Sequence, residues 1–176
     1  LHEERGYHFG HGLEAELIGK WASPLAAADL KPDAACAFIE LPQRHNGGAL
    51  PGWDELEAIK LRAEAIGLPL HLDGARLWST RPFYGDRSYG EICAGFASVY
   101  VSLYKDIGAL GGAVLAGDED FIAEARLWQA RFGGRIVSPV PRVLDALRLL
   151  DRRRERMPAY IARARPPAAA LPALVL

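Results

Sequence analysis

Apolar and polar positions change rhythm along this chain so that strand patterns alternate with helix patterns. Ala35 to Leu41 is an apolar run of strand length closed by Pro42, and the turn formers that follow it predict a strand and then a loop. Trp53 to Ile66 places Leu56, Ile59, Ala63 and Ile66 three and four apart with charges between them. Gly67 stands where a helix C-cap belongs, so this stretch is expected to be an amphipathic helix. Pro69 to Leu72 reads as a short strand running into Asp73-Gly74, and Ser88 to Glu91 has the form of a capping box opening a helix to about Ala94. Ala97 to Leu103 and Gly112 to Ala116 read as strands, and Asp120 to Phe132 as a helix with Phe121, Ile122, Ala125 and Trp128 on one side.

This order limits the topology. Parallel neighbours need a crossover of roughly a dozen residues, and the stretch from Tyr104 to Gly111 is too short to supply one, so the last two strands are expected to run antiparallel. The rest follows the right-handed βαβ rule, which predicts an α/β fold: a mainly parallel sheet with one reversed strand and helices on both faces. Residues 1–34 carry little pattern beyond a short helical candidate around Leu25 to Leu30. From Val140 onward, Val143, Leu147 and Leu150 recur at helical spacing and lead into Arg152-Arg153-Arg154, bracketed by Asp151 and Glu155 and read as a solvated helix face. The division expected is a large-domain portion over 1–139 and a helical segment over 140–176. A start without Met and an apolar end after Pro166-Pro167 suggest a chain cut at both ends.

Composition narrows the partners. The chain has 176 residues, 21 Lys+Arg against 22 Asp+Glu, so it offers no net attraction to phosphate backbones or anionic lipid; nucleic acid and membrane surfaces are not expected partners. No apolar run reaches the length of a membrane helix. Cys36 and Cys93 are too few for a disulfide framework, and their apolar contexts read as buried, reduced thiols in a cytoplasmic protein.

Open α/β sheets bind ligands beyond the carboxyl ends of their parallel strands, and two such ends carry conspicuous residues: Asp73 after one, Lys105 after the other. Neighbouring strands lie about 4.8 Å apart, so a carboxylate and an amine just beyond adjacent or next-adjacent strand ends can grip opposite sides of one flat ligand. Pyridoxal phosphate asks for that pair, an amine for its aldehyde and an acid to keep its ring nitrogen protonated. Arg76 offers a planar fork for a carboxylate or for the cofactor's phenolic oxygen, and Ser102 a hydroxyl for the phosphate. Each has a plainer reading too: Asp73-Gly74 as a turn, Arg76 as a surface ion pair, Lys105-Asp106 as a solvated loop, Ser102 as an ordinary strand serine.

Taken together, LHLDGARLW (Leu70 to Trp78) and SVYVSLYKDIGALGGAVLAG (Ser98 to Gly117) resemble the threonine aldolases of the β-eliminating lyase group, pyridoxal-phosphate enzymes of the aspartate aminotransferase-like fold. The likeness runs from about Glu40 to Arg131, with the lysine 32 residues after the motif aspartate. It implies that Asp73 pairs with the ring nitrogen, that Arg76 contacts cofactor and substrate, and that Lys105 forms the Schiff base. The activity implied is cleavage of β-hydroxy-α-amino acids such as threonine to glycine and an aldehyde, by a homo-oligomeric parent enzyme. Two departures stand out: Asp106 occupies the place where the family usually has Gly, and the chain lacks the N-terminal segment that supplies a ring-stacking histidine and much of the phosphate cradle.

His45, in the loop after the first strand, is either the group that takes the proton from the substrate β-hydroxyl or a solvated loop histidine. His2, His8 and His11, or His71 with Asp73, raise metal binding, but the Gly-rich surroundings of the first set argue against it, and the second leaves Lys105 without a task. Neither a P-loop nor a G-x-G-x-x-G is present. Two alternatives to aldol cleavage remain: a β-eliminating amino-acid lyase, and a catalytically incomplete chain serving as an interaction module.

Overall fold

The computed structural model describes residues 3–170, so His2 and the apolar end at 171–176 lie outside it. Four strands, β1 (Ala37–Glu40), β2 (Leu70–Gly74), β3 (Ser98–Ser102) and β4 (Ala113–Gly117), form one sheet in that order. The first three are parallel and β4 is antiparallel to β3, as the short connection requires. Among the described residues six α-helices accompany them: α1 (Gly6–His11), α2 (Trp53–Ala65), α3 (Tyr89–Cys93), α4 (Glu119–Arg131), α5 (Val140–Arg154) and α6 (Met157–Ala170). The helical candidate near Leu25 is a single 3-10 turn, Ala27–Asp29.

Helix ends follow local chemistry. At the end of α2, Gly67 takes φ +65°, its N–H donates to Glu64 O at 3.0 Å and that of Leu68 to Ala63 O at 2.9 Å, a Schellman stop. Ser88 Oγ accepts the Glu91 N–H at 3.2 Å while Glu91 Oε2 accepts the Ser88 N–H at 2.8 Å, closing the expected capping box at α3. Asp118 Oδ1 accepts the Phe121 N–H at 2.7 Å and opens α4.

Helical cover is uneven between the two faces. Leu56, Ile59 and Ala63 of α2 and Ile92 of α3 are buried in one cluster with Ile39, Leu70, Leu72 and Val99, which all project from the same face of the sheet. The opposite face carries Phe38, His71 and Ser98 in one cross-strand row and Glu40, Asp73, Tyr100 and Leu115 in the next. Phe38 there is 71% exposed, and the residues of β4 are all exposed. Phe121 of α4 covers its β4 margin, since a Cβ on Gly117 would lie 2.6 Å from the Phe121 ring. Strand alternation explains a correction: Cys36, read from its apolar neighbours as buried, is exposed, while Cys93 is half-buried.

At the carboxyl end of the sheet, α5 grips the loop between β3 and β4. Asp145 Oδ2 accepts the Leu110 N–H at 2.8 Å, and Arg153 Nη1 donates to Ile107 O at 2.6 Å. The run Arg152 to Arg154 is therefore not a purely solvated face; its central guanidinium is half-buried against that loop. Among the described residues no helix is long and apolar enough to cross a membrane.

Candidate active site

Three parallel strands end at one edge of the sheet, and β4 begins there, so the loops after β1, β2 and β3 converge. His45 lies in the first, Asp73 and Arg76 at the second, Ser102 and Lys105 at the third. This is the ligand-binding edge of an open parallel sheet.

Asp73 sits in β2 opposite Glu40 of β1 and Tyr100 of β3, on the sparsely covered face. Its Oδ1 accepts the Ala75 N–H at 3.0 Å, an Asx-type turn, and Oδ2 has no hydrogen bond among the described residues. Gly74 follows because nothing larger fits: a Cβ there would stand 2.6 Å from Tyr100 O of the neighbouring strand.

Arg76 comes just before a 3-10 turn, Leu77–Ser79, that carries the chain away from the sheet. Its Nη1 reaches back to Glu40 Oε1 at 3.5 Å, and both side chains are about 30% exposed or less. Nothing local in the sequence marks Glu40; its place beside the site follows from its register with Asp73.

Lys105 is exposed, and its Nζ, 5.8 Å from the Tyr104 ring centroid, makes no hydrogen bond or ion pair among the described residues. Its turn is built by Ser102. That side chain is fully buried, and its Oγ accepts the N–H of Tyr104 at 3.2 Å and of Lys105 at 3.1 Å. The hydroxyl is thereby committed as an acceptor inside the turn. Asp106 is half-buried, and its Oδ2 accepts the Ser79 N–H at 3.1 Å. Burial raises its pKa above the usual carboxylate value, against the lowering effects of that hydrogen bond and of the Arg76 and Lys105 charges.

His45 is exposed in the turn Arg44–Asn46, its ring 6.0 Å from that of Trp21. Its loop follows β1 and joins the site edge. His71 Nδ1 lies 2.8 Å from Ser98 Oγ, its ring 4.6 Å from that of Phe38; burial lowers its pKa, with Asp73 opposing. No group of three or more metal-ligating side chains occurs among the described residues.

A donor set for pyridoxal phosphate has to offer an unengaged carboxylate oxygen and an unengaged primary amine at the carboxyl ends of neighbouring strands. Asp73 Oδ2 and Lys105 Nζ meet that requirement, and the residues present fit the group.

The chain is similar to known proteins. The family model described as beta-eliminating lyase matches residues 23–174. A low-specificity L-threonine aldolase of Candida albicans is 41% identical over 103 residues, which are 58% of this chain and 27% of that protein. Its Escherichia coli counterpart is 32% identical over 128 residues, 69% of this chain and 37% of that one. The chain thus spans about a quarter to a third of the curated relatives it matches. A crystal structure from Listeria monocytogenes, assigned as an L-allo-threonine aldolase, superposes with a TM-score of 0.86 at 43% identity, over 91% of this chain and 45% of that one.

Proposed function

The chain belongs to the beta-eliminating lyase family, and from that premise we propose that the protein is a pyridoxal-phosphate-dependent carbon–carbon lyase that cleaves β-hydroxy-α-amino acids such as threonine to glycine and an aldehyde. The observation that carries this reading is an unengaged carboxylate oxygen on Asp73, in the last residues of β2, together with an unengaged amine on Lys105, just beyond the end of the adjacent parallel strand β3. The threonine aldolases among its relatives support the choice of substrate.

When bound, the cofactor supplies an electron sink for the pair released as the Cα–Cβ bond breaks. Lys105 would hold its aldehyde carbon and Asp73 would keep a proton on its ring nitrogen. Arg76 orients the substrate carboxylate, which fixes the rotation of the bond to be broken. His45 takes the proton of the β-hydroxyl as that oxygen becomes the aldehyde carbonyl, and a proton delivered to Cα completes glycine. Ser102 shapes the Lys105 turn by accepting two N–H groups, and in this reading its O–H donates to the cofactor phosphate.

We place the protein in the cytoplasm, where two free thiols persist, as a homo-oligomer. The test is an aldehyde-coupled assay of the full-length protein with threonine and pyridoxal phosphate, with serine and tyrosine as controls. Glycine and acetaldehyde support the reading, whereas pyruvate and ammonia without glycine would move it to β-elimination.

A further inference from the structure

Asp106 is an ionisable group with no task in the chemistry above, yet it occupies a defined place. Two hydrogen bonds join the loop after β3 to the loop after β2, and Lys105 lies between them. On one side Trp78 Nε1 donates to Ser102 O at 2.9 Å; on the other the Ser79 N–H donates to Asp106 Oδ2 at 3.1 Å. The β2-side strap is itself held, because Ser79 Oγ donates to Arg76 O at 2.8 Å and Tyr89 Oη donates to Trp78 O at 2.8 Å. Within the β3-side loop, the Lys105 N–H donates to Ser102 Oγ at 3.1 Å. The backbone of Lys105 and that of Arg76 thus belong to one hydrogen-bonded ring of residues, closed by the Asp106 carboxylate.

We propose that Asp106 is a positioning residue that locks the Lys105 loop to the Arg76 loop, so that amine and guanidinium face one ligand. The proposal rests on the cofactor reading given above and extends it to a residue outside the Asp73, Arg76 and Lys105 set. A side chain with an acceptor oxygen two bonds from Cβ is what the tie requires. A glycine at 106 could not make it, and an alanine would leave the Ser79 N–H in search of another acceptor. Partial burial of a carboxylate costs stability, which is consistent with a group kept for placement.

The experiment uses the full chain and its Asp106→Asn, Asp106→Ala and Asp106→Gly variants. Each is incubated with pyridoxal phosphate and reduced with borohydride, and the label is mapped over the chain's four lysines, Lys20, Lys31, Lys60 and Lys105. In parallel, hydrogen exchange of the Ser79 amide is followed without cofactor, with the core amide of Leu72 as a folding control. Asn keeps the acceptor, so wild type and Asp106→Asn should concentrate label on Lys105. Ala and Gly should lower the Lys105 share and speed Ser79 exchange, each by roughly fivefold or more, as loss of one hydrogen-bond acceptor implies. Unchanged Ser79 exchange or an unchanged Lys105 share in the Ala and Gly variants overturns the positioning role, as does an equal loss in Asp106→Asn. A wild-type chain without preference for Lys105 but with Ser79 exchange responding to Asp106 overturns the cofactor reading, and the placement of the amine with it.

Discussion

Arg76 Nη1 lies 3.5 Å from Glu40 Oε1, so the guanidinium assigned to the substrate already faces a carboxylate of the adjacent strand. Partly exposed pairs of this kind are worth at most about 1 kcal/mol, weak enough for an incoming carboxylate to displace. Glu40→Gln should therefore lower KM for threonine by roughly two- to fivefold, as expected when a competing charge of about that worth is removed, with little change in kcat. A rise in KM would mean that Glu40 orients the fork more than it competes for it.

Arg76→Lys retains the charge and loses the planar fork. A drop in kcat/KM for threonine of roughly tenfold or more is expected, because bidentate alignment of the carboxylate is lost. Steady-state kinetics of the full-length enzyme measure it, and a change under about twofold would remove Arg76 from substrate alignment.

How much of this arrangement is legible in the sequence depends on how local each interaction is. The α2 stop at Gly67, the capping box at Ser88 and the reversal of β4 follow from chemistry within a few residues, and all three are readable from spacing. The convergence of Asp73 and Lys105 on one edge follows from counting strands. Glu40 against Arg76, Ser79 against Asp106 and Ile107 against Arg153 are not readable in that way, because strand register and loop path bring together residues from 27 to 46 positions apart. Cys36 shows a related limit: an apolar neighbourhood along the chain does not reveal which neighbours lie across the sheet. Ser102 was visible as a strand-end hydroxyl, but its use as a buried acceptor depends on the turn it creates.

His71 gives the fold a pH dependence whose sign follows from its lowered pKa. The unfolded chain binds its proton near the ordinary value of 6.5, and the folded chain only at lower pH. The contribution is fully present above 6.5 and is lost as pH falls through that value toward the folded pKa. Thermal unfolding between about pH 7.5 and 5.5 should show Tm falling with acid, and His71→Gln should flatten that part of the curve. An equally steep curve in the variant would assign the effect to other groups.

Asp106 has the opposite sign. Its raised pKa means that the folded chain holds this proton more readily than the unfolded one, so ionisation at neutral pH costs stability. Asp106→Asn should raise Tm at pH 7 and bring no gain well below the ordinary carboxylate pKa, as differential scanning calorimetry at both pH values would show.

Gly74→Ala places a methyl against Tyr100 O at 2.6 Å and has to push β2 from β3. Urea unfolding should register a loss of about 1–3 kcal/mol. A neutral substitution would show that the strands separate without cost.

The central claim is that Lys105 is the cofactor lysine, and borohydride trapping of pyridoxal phosphate with peptide mapping tests it most directly. Lys20, Lys31 and Lys105 are all exposed, so exposure alone does not single out Lys105; Lys31 is paired with Glu16, and the Lys60 side chain is 9% exposed and paired with Glu57. The account predicts label concentrated on Lys105 and lost from the chain in Lys105→Ala. Equal labelling of Lys20, or a Lys105→Ala chain that retains the same stoichiometry, would contradict it.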